Sequence, residues 1–563
     1  MYILGISAYY HDSAACIVKS GKVLVAVEEE RFSRIKHDNS FPFQAVKFCL
    51  EYLSLTIQDI YCVSYYEKQL LKFERILGMF VKTYPYSIKP FLKSLPEWLD
   101  YKIKIEYTVR KKLGFKKKIF FIPHHLSHAS AAFYPSPYKK AAILTVDGVG
   151  EYQTTALWQG NKTEIELLKE INFPHSLGLF YSTITAFLGF RVNNDEYKVM
   201  GLAAYGKPKF VKDLYKIIDI KQDGSFRLNL KYFAFEYSFQ MWSKCLEKLL
   251  GKPRKSNDPL NQRDKDLANS LQTVTEDIYF RILNHLYQKT KVKNLCVAGG
   301  VGLNSLANGK IYQNTPFKKV FIFGPAGDSG ASIGSALYTY HSLLKNQQRK
   351  KIASLYLGSK YSDSEIEVEL RKRKLKYKRF KNNTELVKRT AKLLANNKII
   401  GWFQNRMEFG PRALGARSIL ANPKDRKMKA WVNRIKKREQ FRPFAGSTLQ
   451  EHIHELFFVP EEKLYSPFMN FCFITKNKRI KDISAIVHKD NTCRIQTVNK
   501  KDNGLYYELI KQFYKETGVP CILNTSFNIK GKPIVNSPQQ AIKNFLNTKI
   551  DFLIINNYLV SKN

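Results

Sequence analysis

ILTVDGVGEYQTTALWQGNKTEIEL, residues 143–167, sets an apolar strand, a Gly/Asp turn, a second strand, a Gly-centred hairpin and a third strand in succession. Short alternating segments punctuated by Gly, Asn and Asp read as β-structure. The chain opens on the same order: from Tyr2 to Glu30 a strand leads into a His/Asp turn and then a hairpin broken at Ser20-Gly21-Lys22. A unit met twice implies a duplicated α/β fold whose two halves close around a cleft. Two further strand-to-helix signals follow, NLCVAGGVGLNSLAN (294–308) and VFIFGPAGDSGASIGSALYTY (320–340), each an apolar strand running into a Gly-rich loop and a small-residue helix. Such loops let backbone N–H groups approach a nucleotide closely. Beyond Tyr340 the text turns polar through SLLKNQQRKK, and from about residue 356 a second set of strands and helices begins with its own density of Arg. Two domains are expected, 1–345 and 356–563.

The 563 residues are 44% hydrophobic and 25% charged, enough for two cored domains and unlike a disordered chain. No apolar run reaches the roughly 20 residues of a membrane span, and no secretory leader pattern precedes the first strand. A cytoplasmic protein is the expectation. Eight cysteines stand without a CxxC pair, so neither a zinc ribbon nor a disulfide framework is implied. The net charge of +44 raises the question of a nucleic-acid partner. Its lysines are spread along most of the chain, whereas a dedicated binder concentrates them, so no specific nucleic acid is expected.

His124 and His128 stand four apart in PHHLSHASAA, which on a helix places both imidazoles on one face, a chelating arrangement. Asp147 and Asp328 each follow an apolar strand in a Gly-rich turn, where a carboxylate points into a cleft. Two imidazoles with two carboxylates suit one divalent ion, Fe(II), Mn(II) or Zn(II), better than a thiolate-seeking one.

The ordered segments GISAYYHDSAACI, VEEERFSRIKHD, HHLSHAS, VDGVGE, DEYKVMGLAAYG, VAGGVGLNS and GPAGDSGASIG resemble the NodU/CmcH O-carbamoyltransferase family. So do MEFGPRALGARSIL, KKREQFRPFAGS, CRIQTV and NTSFNIKGKPIV further on. The resemblance implies an actin/sugar-kinase-like first domain, similar to TsaD-type tRNA threonylcarbamoyl transferase, followed by a YrdC-like α/β domain. It implies an enzyme that makes carbamoyladenylate from carbamoyl phosphate and ATP, with Mg(II), in the second domain. The first domain would then transfer the carbamoyl group to a hydroxyl of a small molecule or glycan, with Fe(II) the foremost metal.

Carried over position by position, the resemblance makes His124, His128, Asp147 and Asp328 the metal ligands and His11 the catalytic base, a role that suits an imidazole near neutral pH. It also implies that Gly299, Gly300, Gly302 and Asn304 bind the adenylate, that Met200 and Gly201 line the same pocket, and that Lys36 adds a positive charge there. In the second domain the resemblance makes Arg412, Lys436, Arg442, Arg494 and Ser526 the residues expected to hold carbamoyl phosphate and ATP, a role that suits guanidinium forks, which match phosphate oxygens. Arg417 and Arg438 lie close enough in sequence to exchange roles with these. Where family members often read RPFAP this chain reads RPFAG, and only the stiffness of a loop is expected to change. The aromatic and basic stretch from Tyr65 to Lys118 is either an acceptor lid, a contact for an anionic glycan or membrane surface, or an ordinary amphipathic insertion. A homodimer is compatible with the sequence. Two competing functions are a tRNA threonylcarbamoylation enzyme, which the motifs of the second domain disfavour, and an ATP-switched actin-like binding protein, which has no use for four convergent metal-ligand residues.

Overall fold

The computed structural model describes residues 1–461 and 464–562. Two compact units emerge: 1–29, 37–307 and 311–352 form the first, and 30–36, 308–310 and 353–563 the second. The division after Ile352 lies in the polar stretch where a junction was expected, but Glu30–Lys36 departs from the sequence reading by joining the second unit. Its arginines explain this: Arg31 donates to the Gly410 carbonyl at 2.8 Å, and Arg34 donates to the carbonyls of Ile534 at 2.7 Å and Pro533 at 2.8 Å.

In the first unit, β1 (Tyr2–Ser7), β2 (Ala14–Lys19), β3 (Lys22–Glu28), β4 (Ile60–Tyr65) and β5 (Lys118–Phe121) form a sheet of order β3-β2-β1-β4-β5. β1 and β3 run antiparallel to β2, while β1, β4 and β5 are parallel. The second half repeats the plan with β6 (Lys140–Val146), β7 (Gln153–Asn161) and β8 (Glu164–Asn172). After a small ribbon, β9 (Ile218–Ile220) with β10 (Phe226–Leu228), come β11 (Asn294–Ala298) and β12 (Lys319–Ile322). Their order is β12-β11-β6-β7-β8, with the same alternation of antiparallel and parallel pairs. The duplicated, actin/sugar-kinase-like arrangement expected from the repeated strand pattern is therefore present.

Each half ends in a helix that packs on the other half's sheet, His124–Phe133 after β5 against β6, β7 and β11, and Asp328–Tyr338 after β12 against β1, β2 and β4, and these two helices pack on one another. Gly334 permits the approach, because a Cβ there would lie 1.9 Å from the Ser127 carbonyl oxygen. The contact fixes Asp328, at the start of one helix, relative to His124 and His128 on the other. Gly334→Val is expected to lower stability by about 1–3 kcal/mol or more through overpacking, measured by denaturant unfolding, and to weaken metal uptake with it.

The second unit is built on a mixed sheet of β13 (Tyr377–Arg379), β14 (Ile400–Phe403), β15 (Arg417–Ala421), β16 (Ala445–Leu449), β17 (Phe471–Ile474), β18 (Thr492–Val498), β19 (Cys521–Ser526), β20 (Phe552–Ile555) and β21 (Tyr558–Val560). Their order is β13-β21-β20-β14-β15-β19-β16-β18-β17. The amphipathic helices Asn383–Ala395 and Gly504–Thr517 pack together by their buried Leu, Ile and Phe positions. The RPFAG reading needs correction here. Gly446 lies within β16, paired with Ile495 and Leu523, where a Cβ would come 2.6 Å from Ile486 Cδ1. A proline there would also remove a ladder N–H, so the exchange bears on strand packing and pairing and not on the stiffness of a loop.

Candidate metal centre and anion cluster

The helix predicted from the HxxxH spacing forms, and both its histidines are fully buried. Glu151 sets its start: the carboxylate accepts the His124 backbone N–H at 3.0 and 3.1 Å and that of Lys68 at 2.7 Å. A carboxylate at a helix N-terminus is favoured by the helix dipole as well as by these bonds. Asp147 emerges directly after β6, and its Oδ1 accepts from the backbone of Gly148 at 2.8 Å and of Gly300 at 3.2 Å. That leaves Oδ2 facing the histidines.

The donors form a compact polyhedron. Asp147 Oδ2 is 3.0 Å from His124 Nε2 and 3.1 Å from His128 Nε2, and the two nitrogens are 3.1 Å apart. Asp328 Oδ1 makes the fourth vertex at 3.8 and 3.4 Å from the same nitrogens. Ligand atoms held about 2.0–2.1 Å from one ion stand roughly 3 Å from each other, so the spacing fits a bound cation. Asp328 gives the sharper test. Although 1% exposed, neither of its carboxylate oxygens has a hydrogen-bond partner, and it does not cap its own helix. A buried carboxylate in that condition is costly unless a cation satisfies it. The residues present therefore fit a divalent ion. His125, the remaining histidine of the motif, bonds Thr145 Oγ1 at 2.8 Å and stands outside the donor set.

His11 borders the cluster, with Nε2 3.9 Å from Asp328 Oδ2 and Nδ1 3.2 Å from Asp12 Oδ2. Asp12 in turn meets His37 Nδ1 at 2.7 Å. Without an ion, the protons on these imidazoles do the neutralising. Burial disfavours the His128 cation, but the hydrogen bond to Asp147 and the charges of Asp147 and Asp328 outweigh it and lift the pKa to about 9. For His11 burial again opposes, and Asp328, Asp12 and Asp147 raise it to about 10. Because these values exceed the roughly 6.5 of an unfolded histidine, the stabilisation is complete below about pH 6.5 and is lost as pH rises through about 9 to 10. Chelator-treated protein is expected to melt at a lower temperature near pH 10 than near pH 7 in calorimetric scans, and saturating divalent ion to shrink the difference.

The adenylate residues carried over from the family gather in the same unit, with one exception. Gly299 has φ +90°, and a Cβ on it would lie 2.2 Å from the Val146 carbonyl oxygen, so the β11 loop passes directly over the end of β6. Gly300–Leu303 is a single 3-10 turn containing Gly302, and Met200, on the helix Glu196–Ala203 with Gly201, meets Ser305 Oγ through its sulfur at 3.9 Å. Asn304 exchanges two amide hydrogen bonds with Gln272, at 3.0 and 3.1 Å. Gln272 escapes sequence reading because it lies mid-helix in Gln262–Thr290 with no motif around it. Lys36 is the exception: it belongs to the second unit, paired with Glu30 at 3.2 Å.

In the second unit the selected cations come together at one end of the sheet. Arg412 lies before β15, Arg442 before β16, Arg494 is the third residue of β18 beside Ala445, and Ser526 ends β19 opposite Ser418. Lys436 is buried, its Nζ donating to the Ser526 and Asn528 carbonyls, to Ser526 Oγ at 3.3 Å and to Asn528 Oδ1 at 2.9 Å. Burial, then the charges of Arg438 and Arg442, hold its pKa well below the usual lysine range. Arg417 does not exchange roles with these: fully buried, it donates to the carbonyls of Gln404, Ala416, Ser359 and Asn405 and stacks 3.6 Å over Phe403. Arg438 lies 4.1 Å over Phe444 and donates to Asn433 Oδ1. Glu408, unassigned in the sequence, anchors the Arg412 loop: its Oε1 accepts the backbone N–H of Leu414 and Ala416 at 2.7 Å and of Arg417 at 3.1 Å.

Residues 2–337 match the description "Carbamoyltransferase N-terminus" and residues 391–562 "Carbamoyltransferase C-terminus". The chain belongs to the carbamoyltransferase family. This carbamoyltransferase is 41% identical to the uncharacterized protein sll1178 of Synechocystis sp., over 100% of its own length and 97% of that protein's. It is 37% identical to nodulation protein NolNO of Sinorhizobium fredii, covering 99% of this chain and 80% of the relative. Nodulation protein U of Rhizobium fredii is 32% identical over 45% of this chain and 41% of that one. Within the described residues of the carbamoyltransferase no helix is long and apolar enough to cross a membrane.

Proposed function

We propose that this carbamoyltransferase uses ATP, carbamoyl phosphate and water to form carbamoyladenylate in its second, YrdC-like unit, with Mg(II) on the nucleotide and with orthophosphate and pyrophosphate leaving, and that its first, TsaD-like unit passes the carbamoyl group to an alcohol. The buried His124–His128–Asp147–Asp328 cluster carries the reading, because Asp328 has no hydrogen-bond partner and requires a cation. His124, His128, Asp147 and Asp328 would hold a divalent ion, Fe(II) foremost, which would supply Lewis-acid polarisation and offset the carboxylate charge that otherwise keeps His11 protonated. His11 Nε2 then takes the acceptor hydroxyl's proton as the oxygen attacks the carbamoyl carbon, and AMP leaves with the bonding electron pair. Asp12, 3.2 Å from Nδ1, orients the ring and stabilises the imidazolium that results. Gly299–Gly302 offers close backbone approach to the adenylate, and the Gln272–Asn304 pair holds a polar edge there.

In the second unit, Arg412, Arg442, Arg494, Lys436 and Ser526 answer the negative charge of two phosphorylated substrates held together. The test is pyrophosphate release: it should require carbamoyl phosphate and ATP together, and release with ATP alone would contradict adenylate formation. The tRNA reading is tested alongside. Lysines spread along most of the chain attract a polyanion without fixing its register. The expected result is equal, weak binding of tRNA and an unrelated RNA, falling by roughly 0.9 log units per log salt for each phosphate neutralised on duplex regions. A tRNA-selective complex that becomes carbamoylated would promote the alternative.

A further inference from the structure

The stretch between β4 and β5 carries surface chemistry that neither the ion cluster nor the anion cluster uses. Helix Gln69–Thr83 places Leu70, Leu77 and Val81 on one stripe, at i, i+7 and i+11, and their exposures are 70%, 38% and 73%. A globular helix normally turns such a stripe inward. Here the buried positions of the helix are Gln69, Lys72 and Arg75. The next helix, Ile88–Glu97, has no fully buried residue, and the two are clamped by Phe80 stacked on Phe91 with ring centres 4.1 Å apart. The turn between them presents Tyr84 at 63% and Tyr86 at 79% exposure, so three of the four largest apolar exposures of the stretch, those of Tyr86, Val81 and Tyr84, gather at a hairpin tip. Phe239, 64% exposed, adjoins it, with Lys93 Nζ 4.8 Å from its ring centre.

Charge decides what covers this tip. Residues 65–118 contain 14 Lys and Arg against 5 Asp and Glu, +9 over 54 positions, about twice the density given by +44 over 563. Lys89 and Lys93 are exposed around the tip, and Lys82, also exposed, pairs with Glu236 at 3.4 Å. A second copy of this chain would meet the patch with itself across a two-fold axis and bring these cations against their own images. A soluble polyanion would satisfy the lysines but leave Val81, Leu77 and Leu92 in water. A surface with anionic headgroups above an acyl layer accepts both: aliphatic side chains enter the boundary, tyrosines sit at headgroup level, and lysines extend to phosphate.

We propose that the hairpin tip from Leu77 to Lys93 is a peripheral docking surface for an anionic lipid bilayer. The full chain should float with vesicles containing phosphatidylglycerol and not with vesicles of phosphatidylcholine alone, and high salt should weaken the association. Lys89→Glu with Lys93→Glu, and separately Val81→Glu with Tyr86→Glu, should each lower the vesicle-bound fraction about tenfold or more. Both variants should keep wild-type pyrophosphate release, which shows that they fold and separates this proposal from the proposed activity. Absence of flotation with anionic vesicles overturns it. Retention of binding by the Val81→Glu, Tyr86→Glu pair assigns the patch to a soluble polyanion, and a dimer lost in that pair assigns it to a second copy; either result also overturns it.

Discussion

Asp328→Asn is expected to reduce the affinity for the divalent ion by more than about 100-fold, since loss of a residue merely supporting a ligand costs 10- to 100-fold. The substitution conserves volume and leaves the packing of Asp328–Tyr338 on His124–Phe133 intact, so the loss is one of charge and donor strength. Asp328 is chosen over Asp147 because Asp147 Oδ1 also accepts the Gly148 and Gly300 N–H groups and helps shape the loops. Metal analysis of the purified variant, with chelator competition for affinity, reads the outcome. Retention of one tightly held ion by both Asp328→Asn and His128→Ala would remove the assignment.

Arg494→Ala is expected to lower pyrophosphate release on the order of 100-fold, while His11→Ala leaves it intact and abolishes transfer to the acceptor. Arg494 lies near the start of β18 beside the strand that follows Arg442, among the cations of the second unit, whereas His11 borders the ion cluster of the first. Equal loss of both half-reactions in His11→Ala would overturn the division of labour. Lys436 is a less clean choice for this experiment, because its ammonium ties Ser526 to Asn528 and its removal loosens the loop as well.

Residues whose role follows from local pattern were legible in the sequence. The HxxxH spacing on a small-residue helix, the aspartate after an apolar strand and the repeated strand-turn-hairpin order all survive in three dimensions, because each depends on neighbours within a few positions. Glu151, Gln272 and Glu408 were not legible. Glu151 and Gln272 bind through partners brought to them by distant chain pairing, the backbone of residue 68 and the amide of Asn304, whereas Glu408 binds the N–H groups of a nearby loop that folds back on it without a periodic pattern. Lys36 was grouped with the adenylate residues by its motif, and Arg31 and Arg34 carry its segment into the other unit. Sequence likewise left Arg417 open to an anion-binding role, since burial against four carbonyl groups leaves no periodic trace.

Transfer of the carbamoyl group to an alcohol is followed most directly with isotopically labelled carbamoyl phosphate. The ion-loaded protein is incubated with ATP, Mg(II) and a metabolite extract, and products are searched by mass for one labelled carbamoyl group replacing a hydroxyl hydrogen. A labelled O-carbamoyl product that requires ATP, disappears in His11→Ala and falls with ion content in Asp328→Asn is the predicted result. Labelled product formed equally well without ATP, or in undiminished yield by both variants, would contradict it.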